Sequence, residues 1–204
     1  MDKQVAYQKL VEELRALHKT SPWEGSTQAV PGEGSLDSPV ILVGEAPGAT
    51  EDELGRPFVG QAGKFLDQLI ENIGWHRPDV YITNVVKFRP LNNRDPLPEE
   101  IEQFKPYLLR EIEIIKPKMI VILGRHALEA LLPGQKLTPL RGTAIKRSGQ
   151  IYFVTYHPAA ALYNPGLRES IISDFKKIPL FLAKLESGEL TFSSPDEKSQ
   201  SVLF

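Results

Sequence analysis

Apolar residues recur at helical spacing between Lys3 and His18 (Val5, Leu10, Val11, Leu14, Leu17), with charged residues between them. This predicts an amphipathic first helix. A Pro/Gly/Ser-rich stretch, Thr20 to Ser38, carries the chain to a β-branched run at Val40–Val43. Helical periodicity over Gln61–Ile73 stops at Gly74, a common helix terminator. A strand is expected over Val80–Val86, then a polar, proline-bounded loop, Pro90–Pro98. Pro98 with Glu99 and Glu100 starts a helix well, because proline suits the first turn and acids suit its positive dipole end. That helix runs to Lys116, where Pro117 ends it. Strand Met119–Leu123, helix Arg125–Leu132, strand Ile151–Thr155 and helix Leu167–Leu185 follow. Unbroken apolar strands alternating with helices predict an α/β fold in three layers, α/β/α, around a central, mainly parallel four-stranded sheet. From Glu186 the periodicity stops and polar residues dominate. The expected organisation is one domain, residues 1–185, and a disordered tail, residues 186–204.

The chain has 204 residues, 41% of them hydrophobic, enough for one core and too few for two ordinary domains. Net charge is −2, so any nucleic-acid contact needs a local basic edge rather than a global field. Lys87, Arg89 and Arg94 after the second strand, and Arg141, Lys146 and Arg147 before the last, are the candidates. With no cysteine, disulfides, cysteine-ligated zinc and thiolate-bound iron–sulfur clusters are excluded. No apolar run spans a membrane and no signal peptide is seen, so a cytoplasmic, nucleoid-associated monomer is expected.

Three predicted strand ends carry chemistry: Gly44-Glu45-Ala46-Pro47-Gly48, Tyr81-Ile82-Thr83-Asn84 and Tyr156-His157-Pro158. In an open α/β sheet, one edge of strand ends lines the ligand crevice. A carboxylate, an amide and an imidazole can therefore converge there, joined by Phe58 from the loop Gly55-Arg56-Pro57-Phe58-Val59-Gly60. That set suits a planar heterocycle better than a phosphate or a metal. Each residue has a plainer reading: a turn or cap for Asn84, core for Phe58, structure for His157. His18, His76 and His126 are read as structural. The glycine turn lacks the spacing of a dinucleotide fingerprint or a P-loop, and no metal ligand set is expected.

The segments GEAPGATEDELGRPFVGQAGKFLD, VYITNVVKFRP with NNRDPLPEE, MIVILGRHAL and YHPAAALYNP, in this order, resemble the uracil-DNA glycosylase superfamily, and its family 4 above all. The resemblance spans about Glu12 to Leu185. It implies a monofunctional glycosylase that hydrolyses deoxyuridine in DNA to start base excision repair. Glu45 and His157 would be catalytic, with Gly44, Ala46, Gly48, Phe58 and Asn84 around the uracil. Leu162, Tyr163, Lys87 and Arg89 would contact DNA. Tyr163 stands where the family has arginine after the HP pair. Relatives bind an iron–sulfur cluster through cysteines; here those positions fall at Leu17, Thr20, Phe88 and Phe104, so no cofactor is expected. The aromatic pair, with Trp23 in the same patch, would replace the cross-link. The alternatives are a non-catalytic homologue that binds damaged or single-stranded DNA, and a glycosylase for another deaminated base. The covalently linking variant uses a histidine-containing loop, and Phe88–Pro98 contains none.

The last residues, Gln200-Ser201-Val202-Leu203-Phe204, resemble the short motif by which bacterial repair proteins bind the sliding clamp. Gln200 would orient the peptide, and Leu203 and Phe204 would anchor it in an apolar pocket. A tail peptide should bind the clamp with a Kd on the order of micromolar, since ordering it consumes part of the contact energy. Fluorescence polarisation checks this; a peptide with Leu203 and Phe204 changed to Ala should lose the signal.

Overall fold

The computed structural model describes residues 2–20, 23, 25–190 and 200–201, with only the main chain at 18–20 and 200–201. In chain order the elements are α1 (Lys3–Thr20), β1 (Glu33–Gly34), β2 (Val40–Gly44), α2 (Ala49–Leu54), α3 (Gln61–Asn72), β3 (Tyr81–Asn84), α4 (Pro98–Ile115) and β4 (Met119–Leu123). Then come α5 (Arg125–Leu131), α6 (Leu137–Leu140), β5 (Ala144–Arg147), β6 (Gln150–Thr155), α7 (Ala160–Tyr163), α8 (Arg168–Glu186) and β7 (Gln200–Ser201).

Four strands, β3-β2-β4-β6, pair in parallel and form the centre of the sheet. The expected four-stranded sheet is therefore its core only. Antiparallel β1 and β5 extend it to a six-strand mixed sheet, and the main chain of β7 pairs with β5 beyond that. The β5–β6 hairpin escaped the sequence reading because Ala-Ile-Lys-Arg carries only half an apolar face. Its two-residue turn, Ser148 and Gly149, has positive φ at both positions (49° and 82°), the geometry that matches strand twist.

Strand side chains alternate between two cores, as a period of two requires. Val40, Leu42, Val121 and Phe153 face α3 and α8, where Phe65, Leu69, Ile171 and Phe175 are buried. Ile41, Val43, Ile120 and Ile122 face α1, α4 and α5, where Leu10, Leu14, Phe104 and Leu108 are buried. This confirms the three layers. From β2 the chain crosses to β3 on one side and then passes to β4 on the other. The strand order thus reverses between β2 and β4, the place where such sheets open a crevice. No helix among the described residues is long and apolar enough to cross a membrane.

Strand β3 ends at Asn84 rather than Val86; the next two amides still bond back across β2, Val85 N to Gly44 O and Val86 N to Glu45 O, each at 3.0 Å. The N-terminal segment is held partly by aromatic packing. Trp23 stacks on Phe88 at 5.8 Å between centroids and meets Phe104 at 5.0 Å, while Phe88 and Phe104 lie 5.4 Å apart. Both phenylalanines are fully buried, and Leu17 packs, partly buried, against the core on this face of the sheet. Phe88→Ala or Phe104→Ala should each cost about 3–5 kcal/mol of folding stability, measured by denaturant titration.

Candidate active site

The parallel strands end on one edge, and the three strand-end segments singled out in the sequence emerge there. Gly44 closes β2, and its lack of a side chain is required: a Cβ would lie 2.4 Å from Phe58 Cζ and 2.5 Å from Asn84 Oδ1. Phe58 and Asn84 therefore meet over the end of β2. Asn84 is 2% exposed, and its Oδ1 is buried with no hydrogen-bond partner. An orphaned acceptor in a buried site is costly, and a donor reaching this edge would satisfy it.

Phe58 is not a projecting loop residue. It is 5% exposed and belongs to the core between the sheet, α3 and α8. Its φ of +51° is a left-handed conformation rare for a bulky residue. The loop is locked into that shape. Glu51 Oε1 accepts from Val59 N (2.9 Å) and Gly60 N (2.7 Å). Arg77 donates to Pro57 O (2.6 Å), Phe58 O (3.0 Å) and Asp67 (2.7 Å). At Gly63, in the first turn of α3, a Cβ would lie 2.0 Å from Phe58 O, so only glycine fits there. Such a fixed, strained position is the kind found at binding sites.

His157 follows β6, with its ring 5.4 Å from that of Phe58 and nearly parallel to it (27°). Its Nδ1 accepts from Ala159 N at 3.1 Å, which leaves the single proton of the neutral ring on Nε2. Burial pushes its pKa down to about 4, so the ring is neutral at physiological pH and Nε2–H is a donor.

Glu45 opens on a cleft of about 580 Å³ together with Asp95, Arg125, Tyr156, His157 and Tyr163. Burial, reinforced by the charge of Asp95 and opposed by Arg125, pushes Glu45 up to about 7. Two neighbours were not foreseen. His126 Nε2 lies 3.7 Å from Glu45 Oε2 and 3.5 Å from Asp95 Oδ2. Asp95 in turn pairs with Arg125. Burial lowers the pKa of His126, and Arg125 adds to this. A signal for this group existed, since Gly124-Arg125-His126 follows β4 at the same sheet edge as the other three segments. The ligand atoms of Glu45, Asp95 and His126 lie within 4.8 Å of one another, and the guanidinium of Arg125 already supplies a cation to Asp95.

The remaining assignments divide. Ala46 lines the cleft, and Gly48 faces Glu51, whose Oε2 would lie 2.9 Å from a Cβ there. Leu162 (42%) and Tyr163 (89%) are exposed on α7, and Tyr163 lines the cleft. Arg89 is on the surface, donating to Asn93 Oδ1 at 2.8 Å. Lys87 cannot contact DNA: it is 0% exposed and ion-paired with Glu111 at 2.6 Å. Its charge counts toward a basic edge in the sequence, yet its side chain turns back under the sheet. Arg94 and Arg141 are bound to Glu100 and Asp174. Of the tail residues, Gln200 is described by its main chain only, and Leu203 and Phe204 lie outside the described residues.

Comparison with known proteins agrees with this geometry. Residues 31–179 match the model of the uracil DNA glycosylase superfamily. A type-4 uracil-DNA glycosylase of Sulfurisphaera tokodaii is 50% identical over 181 residues, covering 84% of this chain and 82% of the relative. That of Archaeoglobus fulgidus is 46% identical, covering 83% and 89%. A type-5 uracil-DNA glycosylase of Pyrobaculum aerophilum is 31% identical, covering 79% and 78%. By that match and those identities, the chain belongs to the uracil DNA glycosylase superfamily and stands with its type-4 members.

Proposed function

We propose that this protein is a uracil-DNA glycosylase: it hydrolyses the bond between uracil and deoxyribose in DNA and leaves an abasic site. The observation that carries the reading is the buried Asn84 amide, with its unpartnered oxygen aimed over the end of β2 beside Phe58. The amide oxygen accepts from uracil N3–H and the amide nitrogen donates to O4; cytosine presents the opposite pattern and is rejected. The ring of Phe58 supplies a face for the extruded base. His157 Nε2–H donates to O2, where negative charge gathers as the bond breaks. Glu45, when ionised, faces the cationic sugar and takes the proton of the attacking water. Leu162 fills the vacated stack as an apolar wedge, with Tyr163 and Arg89 along the strand.

The chain has no cysteine. Leu17, Phe88 and Phe104, at positions where the family resemblance places cysteines, offer no metal donor, and the packing of both phenylalanines on Trp23 argues against any cluster there. The N-terminal segment is instead fastened by hydrocarbon contact. The glycosylase domain closes with α8, and the clamp motif lies beyond it.

Asn84→Asp places a carboxylate against O4 and should reduce single-turnover uracil excision by about 3 kcal/mol, roughly 10²-fold. His157→Ala should lower the rate about 10²–10³-fold while affecting DNA affinity less. Release of uracil from a single-uracil oligonucleotide, followed by alkaline cleavage, reads both. Two variants at wild-type rates would remove the assigned pocket.

Glu45 must lose its proton to act, so excision should rise with pH through about 7. His157 contributes no change there, because its proton is already lost above about 4. Asp95→Asn removes a charge that opposes ionisation of Glu45 and should move the rise to lower pH. Arg125→Gln should move it to higher pH. Single-turnover rates from pH 5 to 9 check both signs.

A further inference from the structure

The buried side chain of Lys87 has no part in the chemistry above, yet it touches the residue that reads the base. Its Nζ donates to Asn84 O at 2.7 Å, to Thr83 Oγ1 at 2.6 Å and to Glu111 Oε2 at 2.6 Å. All three donors of the ammonium are thereby used. Glu111, also fully buried, is anchored by Thr83 Oγ1 (2.9 Å), Tyr81 OH (3.2 Å) and Gly32 N (3.1 Å). Burial lowers the pKa of Lys87, and the adjacent carboxylate opposes that shift.

We propose that the Lys87–Glu111 pair positions Asn84: Lys87 clamps the main chain of the base-reading residue, and Glu111 holds Lys87 in place from α4. The side-chain oxygen of Asn84 has no partner of its own. Its aim therefore depends on where the backbone at the end of β3 is held. Strand pairing fixes one side of that backbone through Gly44↔Asn84. The chain then turns, and the Lys87 ammonium closes the turn on the Asn84 carbonyl. Stability gives little reason for such a pair, since well-packed hydrocarbon replacements of buried ion pairs are often as stable or more so. What the pair supplies is direction: charge-assisted bonds with defined geometry at a residue whose misplacement by about 1 Å can cost 10²-fold in rate.

The inference rests on Asn84 reading uracil. The test is the full-length Lys87→Met/Glu111→Leu double variant, which removes both charges together. It should fold and excise uracil about 10²-fold more slowly in single turnover. Its affinity for an oligonucleotide with an abasic site, which has no base for Asn84 to read, should stay within about twofold of wild type, by the same independence of the base pocket. A folded double variant with the wild-type excision rate overturns the proposal, as does a parallel loss of abasic-site affinity, which marks a purely structural role. If the double variant does not fold, Lys87→Met/Glu111→Gln, whose amide oxygen keeps an acceptor for Gly32 N and Tyr81 OH, is read by the same two measurements. Asn84→Asp is run beside them: a wild-type rate there overturns the assignment of Asn84 and this inference with it, whereas loss there beside an unimpaired double variant overturns this inference alone.

Discussion

One carboxylate, that of Glu111, joins the parts of the structure that must stay in register. It projects from the buried face of α4 and accepts from the segment before β1 (Gly32 N), from two residues of β3 (Tyr81 and Thr83) and from Lys87 beyond β3. A carboxylate in a dry interior is tolerable only when its oxygens are satisfied in this way. Removing one member of such a pair leaves an uncompensated charge and typically costs about 3–5 kcal/mol. The docking of α1 extends the network. Tyr7 OH donates to Gly32 O, and the Tyr7 ring meets Tyr81 edge-on at 6.1 Å. Burial, with the charge of Glu111, raises the phenol pKa of both tyrosines, so they remain neutral donors.

The same N-terminal segment is tied down at two further points. Asp52, itself buried, accepts from Ser26 Oγ (2.7 Å) and Thr27 N (2.9 Å), which pins the crossing chain to α2. Trp23, Phe88 and Phe104 close the other side by ring packing. A covalent or metal cross-link would act chiefly by restricting the unfolded chain. Aromatic burial acts on the folded state, at roughly 1.5–3 kcal/mol for a fully buried side chain. The two routes fasten the same loop but respond differently to redox conditions. A chain without cysteine has no thiol for them to act on.

At the sheet edge, desolvation acts on two groups in opposite senses. It pushes Glu45 up to about 7 and His157 down to about 4, because burial penalises whichever form is charged. The consequence differs with the role. A neutral imidazole with its proton fixed on Nε2 is already in the donating state. Glu45 is poised to exchange a proton near neutrality, and Asp95, on the loop before α4, and Arg125, at the start of α5, adjust it in opposite senses. The order of the strands places these groups: Glu45 leaves β2 and Arg125 leaves β4, on either side of the point where the topology reverses.

The parallel core of the sheet was legible along the chain because Val40–Val43 and Met119–Leu123 are apolar on both faces, which only a strand covered on both sides requires. Glu45, Asn84 and His157 were legible because each ends such a strand, and the family motifs surround them. The β5–β6 hairpin was not, since Ala144–Arg147 is half polar and its pairing is decided by the neighbouring β6. Lys87 was misread for a related reason: a charge in a sequence carries no direction, and only packing against α4 turned it toward Glu111. His126 and Asp95 join Glu45 from separate elements that meet only when β2 and β4 pair. Phe58 was expected on a loop rather than in the core, yet Glu51 and Arg77, residues with no evident tie to it along the chain, fix that loop so that the ring is buried. Local pattern determined most of the elements and which side chains stand at the strand ends, because periodicity and strand ends are properties of adjacent residues. Which charges are buried, which carboxylate is held near neutrality and where the asparagine amide is aimed were decided by tertiary contact, because dielectric, distance and hydrogen-bond direction exist only once distant segments meet.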